Sequence, residues 1–401
     1  MSQHKPRMVL GQRRAAIYDF LTGKVYSINH SGRELLLSPR GRNNAQPTAE
    51  ERAFLNQLEA LGLSDWDLEG GRSGEDQSVT QLDHLDMEVT ANCNLRCIHC
   101  YGFFGPRQDG HESLSLMRQM ELLEEAQGLG CESVQFIGGE ATTSDKLLPL
   151  VCHARVMGYD RLRVYTNGSL IDHLLAQTLA ENEVSVRVSL YSHRSEVHDK
   201  ITGQPGSFER TKRGILRLKS EGVKTEVAMI VLRDNRDDVD GLRLLVEGLG
   251  VGWAGCDVVR PIGRGRNTPL SPTDPMLSDA RVMSEPDFRT SWATYERCRT
   301  GNSCWLGQAT ITNTGDILPC VFSRELVAGN AKTKSLHQVI TEGLSTYWRV
   351  SRDCVEVCSE CEYRYCCFDC RPLAMSAGTG LHGRGRYCTY SPAQGLWSHT
   401  D

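Results

Sequence analysis

Hydrophobic and polar positions alternate most regularly between residues 81 and 270, where short apolar runs are separated by longer amphipathic stretches. The apolar runs predict six strands, at 85–90, 133–138, 161–166, 184–191, 223–232 and 254–260. The amphipathic stretches predict five helices, near 115–128, 145–157, 170–181, 207–221 and 237–248. Regular alternation of strand and helix implies parallel strands joined by right-handed crossovers. The region is therefore predicted to be α/β, a partial (β/α)6 TIM-like barrel, with its chemistry at the carboxyl ends of the strands.

The first 80 residues predict a small α+β domain that precedes the barrel. Two apolar segments, 14–20 and 25–28, predict strands joined by a glycine-containing turn. Thr48 and Glu51 have the spacing of a capping box, which predicts the start of a helix. The stretch 69–76 is polar and rich in glycine, as expected of a linker.

The last hundred residues have little periodicity and many cysteines. A segment with so few regular apolar positions needs another source of stability, which metal clusters can supply. We therefore predict four segments along the chain: 1–80, the barrel at 81–270, a bridging segment at 271–297 and a cysteine-rich domain at 298–401.

Composition narrows the class of protein. The chain has 401 residues, which is too long for one ordinary core. Its formal net charge of −5 gives no reason to expect a nucleic-acid partner. We find no apolar run that would span a bilayer and no signal peptide, so we expect no membrane partner and a cytoplasmic location. Sixteen cysteines in such a chain indicate metal or redox chemistry rather than disulfides.

The most informative cysteines follow the first predicted barrel strand. Cys93, Cys97 and Cys100 form a C-x3-C-x2-C pattern, which places three thiolates on one loop. A 4Fe–4S cluster usually takes four cysteine ligands, so three leave one iron open to a substrate or cofactor. A zinc site or three unrelated thiols are the alternatives. Because zinc prefers paired C-x2-C spacings and four closed ligands, the pattern favours iron–sulfur.

Polar residues also follow the next three predicted strands. Gly138, Gly139 and Glu140 end the second, and the glycines would let the backbone approach a ligand closely. A carboxylate in that place is suited to accept hydrogen bonds from an ammonium group. Asn167 and Ser189 stand at the ends of the third and fourth strands, where short polar side chains, hydroxyls above all, are suited to hold ribose. Each of these features alone would also fit an ordinary turn or cap.

Together, the cysteine loop, the Gly-Gly-Glu strand end and the βα alternation resemble the radical S-adenosylmethionine (SAM) superfamily. In that family the open iron binds the amino and carboxylate groups of SAM. The resemblance implies three cluster ligands: Cys93, Cys97 and Cys100. It implies contacts to the methionine amine from Gly138, Gly139 and Glu140. Ser189 is a candidate ribose contact, Asn167 is a further candidate for cofactor binding, and His99 stands where the family often has an aromatic residue near adenine.

The C-terminal cysteines carry a second resemblance, to the SPASM extension of radical SAM enzymes, which holds auxiliary 4Fe–4S clusters. The resemblance implies one auxiliary cluster on Cys298, Cys304, Cys320 and Cys370. It implies another on Cys358, Cys361, Cys367 and Cys388, so that the chain would hold three clusters.

The spacing of these cysteines departs from the usual pattern in one place. The family has three residues between two of the ligands where this chain has two, after Cys367. Taking Cys366 as the ligand restores three but shortens the preceding gap, so both cysteines stay open as candidates. Zinc also stays open, because paired C-x2-C spacings suit it.

Most relatives with this extension act on peptides or proteins. The branch that matures sulfatases usually has an aspartate base after the auxiliary cysteine, whereas here Val321 follows Cys320, which argues against that activity. The runs 198–210 and 261–265 look like the branch that modifies ribosomally made peptides. The resemblance thus implies a maturase that cleaves SAM to a 5′-deoxyadenosyl radical, abstracts hydrogen from a precursor peptide and installs a modification, foremost a thioether, carbon–carbon or carbon–oxygen crosslink.

No catalytic base is identified by the sequence. Tyr191, Asp199 and Arg264 are candidates only because we expect them at the rim of the barrel.

The N-terminal segment resembles a leader-peptide recognition domain of winged-helix-like type. The resemblance rests on Tyr18-Asp19 followed by Gly23-Lys24-Val25-Tyr26. Such domains bind a leader by adding it as an extra strand. A plain packing domain is the alternative. The implied partners are the precursor peptide and a flavodoxin or ferredoxin as reductant.

Two other kinds of function are alternatives to peptide maturation. One is a radical SAM enzyme that acts on a small molecule or on another protein. The other is a non-enzyme, namely an iron–sulfur electron carrier or a peptide-binding adaptor. An electron carrier would need neither the open iron nor the Gly-Gly-Glu strand end nor a barrel.

Overall fold

The computed structural model describes residues 4–38, 47–70, 81–108, 110, 112–271 and 288–398. Most of the predicted linker at 69–76, and residues 272–287 of the predicted bridging segment, lie outside this set. The chain forms two compact units, one of residues 1–77, 280–306 and 348–401 and the other of residues 78–279 and 307–347. The finer division into four segments stays a prediction.

The first unit begins with a small sheet under two helices. Its strands are β1 (Arg7–Leu10), β2 (Ala15–Tyr18), β3 (Val25–Ile28) and β4 (Asp67–Leu68), in the order β3-β2-β1-β4. Its helices are α1 (His30–Leu37) and α2 (Ala49–Ala60). The predicted capping box starts α2, since Thr48 Oγ1 accepts from the Glu51 N–H and the Glu51 carboxylate accepts from the Thr48 N–H.

The second unit is built on a nine-stranded sheet. Six parallel strands form its barrel part: β5 (His84–Thr90), β6 (Ser133–Gly138), β7 (Arg161–Thr166), β8 (Ser185–Ser189), β9 (Thr225–Val231) and β10 (Gly252–Val258). The helices between them are α3 (Leu116–Gly128), α4 (Leu147–Val156), α5 (His173–Glu181), α6 (Ser195–Thr202), α7 (Ser207–Ser220) and α8 (Val239–Leu249). This arrangement confirms the predicted α/β fold with a partial barrel.

Three strands that the sequence did not predict extend this sheet beyond β5. They are β11 (Gln308–Ile311), β12 (Asp316–Leu318) and β13 (Gly329–Asn330). β11 runs parallel to β5, and the other two follow antiparallel. As a result β5 lies inside the sheet, and positions 85–90 are all buried.

The remaining helical and strand elements are short. They are α9 (Trp292–Thr300), α10 (Leu336–Val339), α11 (Ser345–Trp348), α12 (Arg371–Ala374), β14 (Tyr390–Ser391) and β15 (Leu396–Trp397). The last two pair as a hairpin. In the described part of the chain, no helix has the length and apolar character needed to cross a bilayer.

Both faces of the N-terminal sheet are buried within the first unit. One face packs under α1 and α2 through residues such as Met8, Ile17 and Leu58. The other face packs against α9 and the cysteine-rich segment, where Tyr18 meets Tyr295 and Tyr365. Backbone contacts join the same segments, with the Gln12 N–H donating to the Glu360 carbonyl at 2.7 Å and the Tyr18 hydroxyl to the Glu362 carbonyl at 2.8 Å. The N-terminal sheet and residues 360–366 therefore share one core.

Candidate active site at the carboxyl ends of the barrel strands

A cavity of about 280 Å³ opens at the carboxyl ends of the barrel strands. It is lined by nearly all the site residues that the sequence predicted for the barrel: Cys93, Cys97, His99, Cys100, Gly138, Gly139, Glu140, Asn167, Ser189, Tyr191 and Arg264. Its size is near the lower end of the range for small-molecule sites. The predicted candidates thus converge on one cavity, with Asp199 as the exception.

The three cysteines of the loop after β5 are free thiols facing this cavity. Burial raises the pKa of Cys93 to about 12, and the Glu140 carboxylate acts in the same direction. Burial also raises the pKa of Cys97, with Cys93 and Cys100 adding to the effect. Thiols that are held protonated in this way become thiolates when a cationic centre binds them. Among the described residues, no three His, Cys, Asp or Glu side chains are arranged to hold a single metal ion, so the fit to a cluster rests on this donor set and its cavity.

The first support of the cysteine loop is the Gly-Gly-Glu strand end. The Gly139 N–H donates to the Thr90 carbonyl at 2.8 Å, and the Glu140 N–H donates to the Asn92 carbonyl at 2.7 Å. A Cβ on Gly139 would lie 2.3 Å from the Asn92 oxygen, and one on Gly138 would lie 2.3 Å from the Thr90 oxygen. The sequence suggested that these glycines make room for a ligand. In the structure they make room for the backbone of the cysteine loop.

The second support comes from the run 198–210, which the sequence assigned only by resemblance. The Arg96 and Ile98 N–H groups donate to the carbonyls of Thr202 and Ile201 at 3.0 and 2.9 Å. Asp199 in the same run does not line the cavity. Its carboxylate accepts from the Ser207 hydroxyl and the Phe208 N–H, both at 2.8 Å, and so caps the start of α7.

The third support is the run 261–265. The Arg264 N–H donates to the Cys100 carbonyl at 2.9 Å, and its guanidinium donates to the carbonyls of Cys97 and Phe104, both at 2.8 Å. Gly263 has φ of 58°, and a Cβ there would lie 2.4 Å from the Cys100 oxygen. A guanidinium stays protonated in proteins, so Arg264 positions the loop and is not suited to act as a base.

Glu140 is buried, and its carboxylate ties the ends of β6 and β7 together. One oxygen accepts from the Thr142 hydroxyl at 2.7 Å and the Thr166 hydroxyl at 2.6 Å, and the other accepts from the Asn167 N–H at 2.6 Å. Burial raises the pKa of Glu140, and the Asn167 N–H and the threonine hydroxyls oppose that shift. The second oxygen accepts one bond here, which leaves an acceptor position for a ligand ammonium.

His99 and Tyr191 form an aromatic corner of the cavity, with ring centroids 4.7 Å apart in an edge-to-face arrangement. Burial lowers the pKa of His99 to about 4, so its ring is neutral at physiological pH, and its Nδ1 makes no hydrogen bond. Burial raises the pKa of Tyr191 well above the usual value, so its hydroxyl stays protonated and is a donor rather than a base.

Asn167 lines the cavity but has protein partners for both ends of its amide. Its nitrogen donates to Asn94 Oδ1 at 2.9 Å, and its oxygen accepts from the Ser169 hydroxyl at 2.6 Å. The side chain therefore braces the loop after β7. Ser189, at the end of β8, faces the cavity, and its side chain hydrogen-bonds to the side chains of Tyr165 and Tyr191.

The sequence interpretation missed a buried ion pair behind the cysteine loop. Glu88 of β5 has a fully buried side chain, and Arg324 binds both of its oxygens, one of them at 3.2 Å. The guanidinium also lies over the rings of Tyr101 and Phe104, at 5.1 and 5.4 Å from their centroids. The available signal was the alternation of acidic and apolar residues along β5, in which Asp86 and Glu88 stand between Leu85, Met87 and Val89.

Removal of Arg324 is expected to destabilise the protein. Arg324→Met would leave Glu88 buried without its partner, which costs about 3–5 kcal/mol of unfolding free energy. Urea denaturation under anaerobic conditions measures the loss. The Glu88→Gln/Arg324→Met double variant is expected to recover most of it, because no charge then remains unpaired. A double variant as unstable as the single one would contradict this account of the pair.

The mouth of the cavity is partly apolar. Val321 and Phe322, directly after Cys320, line it. The Arg260 guanidinium lies over the Phe322 ring, 4.3 Å from its centroid, and pairs with Asp257 at 2.5 Å. This wall presents no carboxylate at the position after the cysteine.

The C-terminal cysteines lie in both units. Cys320 belongs to the second unit, where its sulfur is 3.0 Å from the Ser323 hydroxyl. The other predicted auxiliary ligands belong to the first unit: Cys298, Cys304, Cys358, Cys361, Cys367, Cys370 and Cys388. Cys367 and Cys358 accept from the same guanidinium, that of Arg352, at 3.5 and 3.4 Å. Cys366 instead points its thiol at the Tyr363 carbonyl, at 3.3 Å.

Comparison with protein families identifies two domains. The family model of the radical SAM superfamily matches residues 87–246, and that of the SPASM iron–sulfur cluster-binding domain matches residues 287–362. The subtilosin biosynthesis protein AlbA of Bacillus subtilis is 28% identical over 78% of this chain and 72% of its own length. The mycofactocin maturase MftC of Mycobacterium ulcerans is 25% identical over 77% and 90%.

An AdoMet-dependent heme synthase of Methanosarcina barkeri is similar over a comparable range, at 24% identity across 77% of this chain and 96% of its own. Among solved structures, Streptococcus suis SuiB superposes with a TM-score of 0.65 and 14% identity, covering 97% of this chain and all of SuiB. SuiB bound to its precursor peptide SuiA superposes with a TM-score of 0.64. At 14% identity, the similarity to SuiB shows a shared fold and no more.

Proposed function

Because the chain belongs to the radical SAM superfamily and carries a SPASM iron–sulfur domain, we propose that it matures a ribosomally made precursor peptide by hydrogen abstraction. The similarity to AlbA and to a mycofactocin maturase over most of both chains carries this proposal. A reduced cluster on Cys93, Cys97 and Cys100 would supply one electron to SAM, whose carbon–sulfur bond would break to give methionine and a 5′-deoxyadenosyl radical able to take hydrogen from an unactivated carbon. The protein positions the target carbon and excludes water.

Each part of the cofactor has residues suited to it. We assign Cys93, Cys97 and Cys100 to the cluster, since all three thiols face the cavity from one braced loop. Glu140 is assigned to the methionine amine through its less occupied oxygen, beside Gly138 and Gly139. The neutral ring of His99 is suited to stack near adenine and the Ser189 hydroxyl to contact ribose, with Asn167 holding the adjacent loop.

Two auxiliary clusters complete the proposed set of three. We assign one to Cys298, Cys304, Cys320 and Cys370. We assign the other to Cys358, Cys361, Cys367 and Cys388. Both thiols at the ambiguous position contact a backbone carbonyl, Phe368 for Cys367 and Tyr363 for Cys366. Cys367 is preferred because it also shares the Arg352 guanidinium with Cys358.

The cavity wall supports a crosslinking or related reaction over sulfatase maturation. Val321 stands where the sulfatase-maturing branch, by resemblance, has its aspartate base, and a valine cannot accept a proton. Burial raises the pKa of Tyr191, and the Arg264 guanidinium is engaged with carbonyls of the cysteine loop, so these two predicted candidates orient groups rather than remove protons. A crosslink between peptide side chains, through a thioether, carbon–carbon or carbon–oxygen bond, is the modification we propose.

We propose that the leader of the precursor binds the N-terminal sheet at β3. Among the described residues, β3 pairs with β2 alone inside its sheet. Lys24, just before β3, bridges to Arg289 at the outer edge, so the added strand would pair with Val25–Ile28 beyond that bridge. A flavodoxin or ferredoxin in the cytoplasm is the proposed source of electrons.

The intact mass of the precursor tests the proposed function. A small peptide encoded beside this gene, co-expressed anaerobically with the enzyme, is expected to lose two hydrogens, because a crosslink replaces two X–H bonds by one new bond. Fragmentation would then locate the bond. The matched control is the same peptide without its leader, which is expected to stay unmodified. An unchanged mass, with no deuterium uptake from heavy water that would indicate epimerisation, would reject peptide maturation.

A second candidate function is favoured by one specific observation. AdoMet-dependent heme synthases are 24% and 27% identical to this chain and match over 96% and 86% of their own lengths. The alternative is therefore a radical reaction on a small molecule such as a tetrapyrrole. Formation of 5′-deoxyadenosine only when a tetrapyrrole is added, and not when the peptide is added, would favour it. A lack of 5′-deoxyadenosine with either would leave an electron carrier or adaptor.

A further inference from the structure

Two arginines of the first unit aim N–H groups at the sulfurs of the Cys358/Cys361/Cys367/Cys388 set. Arg352 donates to Cys358 Sγ at 3.4 Å and to Cys367 Sγ at 3.5 Å. Arg384 donates to Cys388 Sγ at 3.6 Å. Three of the four sulfurs that we assign to this cluster thus accept a bond from a permanent cation.

Arg352 is buried, with a relative exposure of 7%, and its guanidinium has further partners besides the sulfurs. It donates to the Phe368 carbonyl and lies 3.6 Å from the Asp369 carboxylate. Asp369 is also bound by the fully buried Arg371, at 2.5 Å. Because one carboxylate is shared by two guanidinium groups, a net positive charge remains next to the sulfurs.

Arg384 is fixed in a similar way. The same nitrogen that reaches Cys388 Sγ donates to the Tyr390 carbonyl at 2.6 Å. Arg386, two positions further on, differs from Arg384 in its exposure and in its hydrogen-bond partners. It is exposed, and its guanidinium donates to the Ser376 carbonyl at 2.9 Å and to the Ser376 hydroxyl, with no described bond to a sulfur.

Both the charge and the hydrogen bonds act on the redox state of a bound cluster. Reduction adds one electron, so a neighbouring cation and N–H groups on the sulfurs stabilise the reduced form more than the oxidised form. Burial strengthens the effect, because the local dielectric constant is low.

We propose that Arg352 and Arg384 raise the reduction potential of the auxiliary cluster on Cys358, Cys361, Cys367 and Cys388 through N–H···S bonds, and so make it an electron acceptor within the protein. This rests on the proposed cluster assignment. The couple is a one-electron reduction of the oxidised cluster, and the electron comes from an external titrant in the experiment below.

The test is a potentiometric titration of the anaerobically reconstituted protein, followed by electron paramagnetic resonance. It is done in a Cys93→Ala/Cys97→Ala/Cys100→Ala background, which removes the signal of the third cluster. Arg352→Gln is expected to lower the potential of one of the two auxiliary clusters by at least 59 mV, a tenfold change in the reduction equilibrium. Arg384→Gln is expected to lower the same potential by less, because it supplies one bond. Arg386→Gln is expected to leave it unchanged.

The outcomes separate this proposal from the cluster assignment. Unchanged potentials in both Arg352→Gln and Arg384→Gln, with iron content kept, would overturn it. An equal shift in Arg386→Gln would also overturn it, since surface charge alone would then account for the effect. If Arg352→Gln does not fold, Arg384→Gln decides the matter. Zinc instead of iron in the parent protein would reject the cluster assignment itself.

Discussion

Replacing Cys93, Cys97 and Cys100 by alanine is expected to abolish reductive cleavage of SAM. These thiols are the donors that the barrel presents to the cavity at the end of β5, and alanine offers a metal no ligand. The protein is expected to lose about four of about twelve iron atoms, because a 4Fe–4S cluster carries four. The measurement is 5′-deoxyadenosine formed with a chemical reductant, together with iron per chain.

The matched control for this triple variant is Cys152→Ala. Cys152 is an exposed cysteine on α4, and its removal is expected to leave both cleavage and iron content unchanged. Retention of cleavage in the triple variant would reject the assignment of the loop. Loss of all iron would show that the auxiliary sites depend on the first cluster, contrary to our expectation that about eight iron atoms remain.

Gly139→Ala is expected to lower the rate of SAM cleavage by about 100-fold, the usual consequence of displacing reacting groups by about 1 Å. The new Cβ would lie 2.3 Å from the Asn92 carbonyl oxygen and 2.5 Å from that of Ala91. Both atoms belong to the backbone that leads into the cysteine loop, so the loop itself must move. The measurement is the initial rate of 5′-deoxyadenosine formation at saturating SAM.

Gly248→Ala is the control for adding a methyl group to a glycine without a clash. Gly248 is in α8, and a Cβ there would meet nothing within 4 Å. This variant is expected to keep its activity and to gain about 0.5–1 kcal/mol of stability, because alanine loses less backbone entropy in a helix. Full activity in Gly139→Ala would mean that the loop tolerates displacement, and the account of the Gly-Gly-Glu strand end would be wrong.

The sequence predicted the barrel well because its strands and helices are long and periodic. All six barrel strands were predicted, with ends that differ by up to two residues from those observed. Helix α6 and strands β11–β13 were missed. β12 and β13 have only three and two residues, so they show no measurable alternation. β13 pairs with β12, β12 pairs with β11, and β11 in turn pairs with β5.

The sequence identified which residues meet at the site better than it identified what they do. The cysteine spacing and the Gly-Gly-Glu strand end were sufficient to find the cavity. The structure was needed to show that Gly139, Thr202 and Arg264 brace the cysteine loop, since these are backbone contacts between distant segments. Such contacts leave no spacing pattern in a single sequence. Asp199 is the opposite case. The sequence made it a candidate for the site, but its carboxylate caps the start of a helix and does not line the cavity.

The shared core of the N-terminal sheet and residues 360–366 limits how this enzyme can be re-engineered. Tyr18 is buried against Tyr295 and Tyr365 and donates to the Glu362 carbonyl, while Arg364 donates to the Leu10 carbonyl at 2.7 Å. The sheet is therefore no interchangeable module. A chimaera that replaces this sheet with one from another protein has to import the matching cysteine-rich segment as well, and over evolutionary time the two are expected to have changed together.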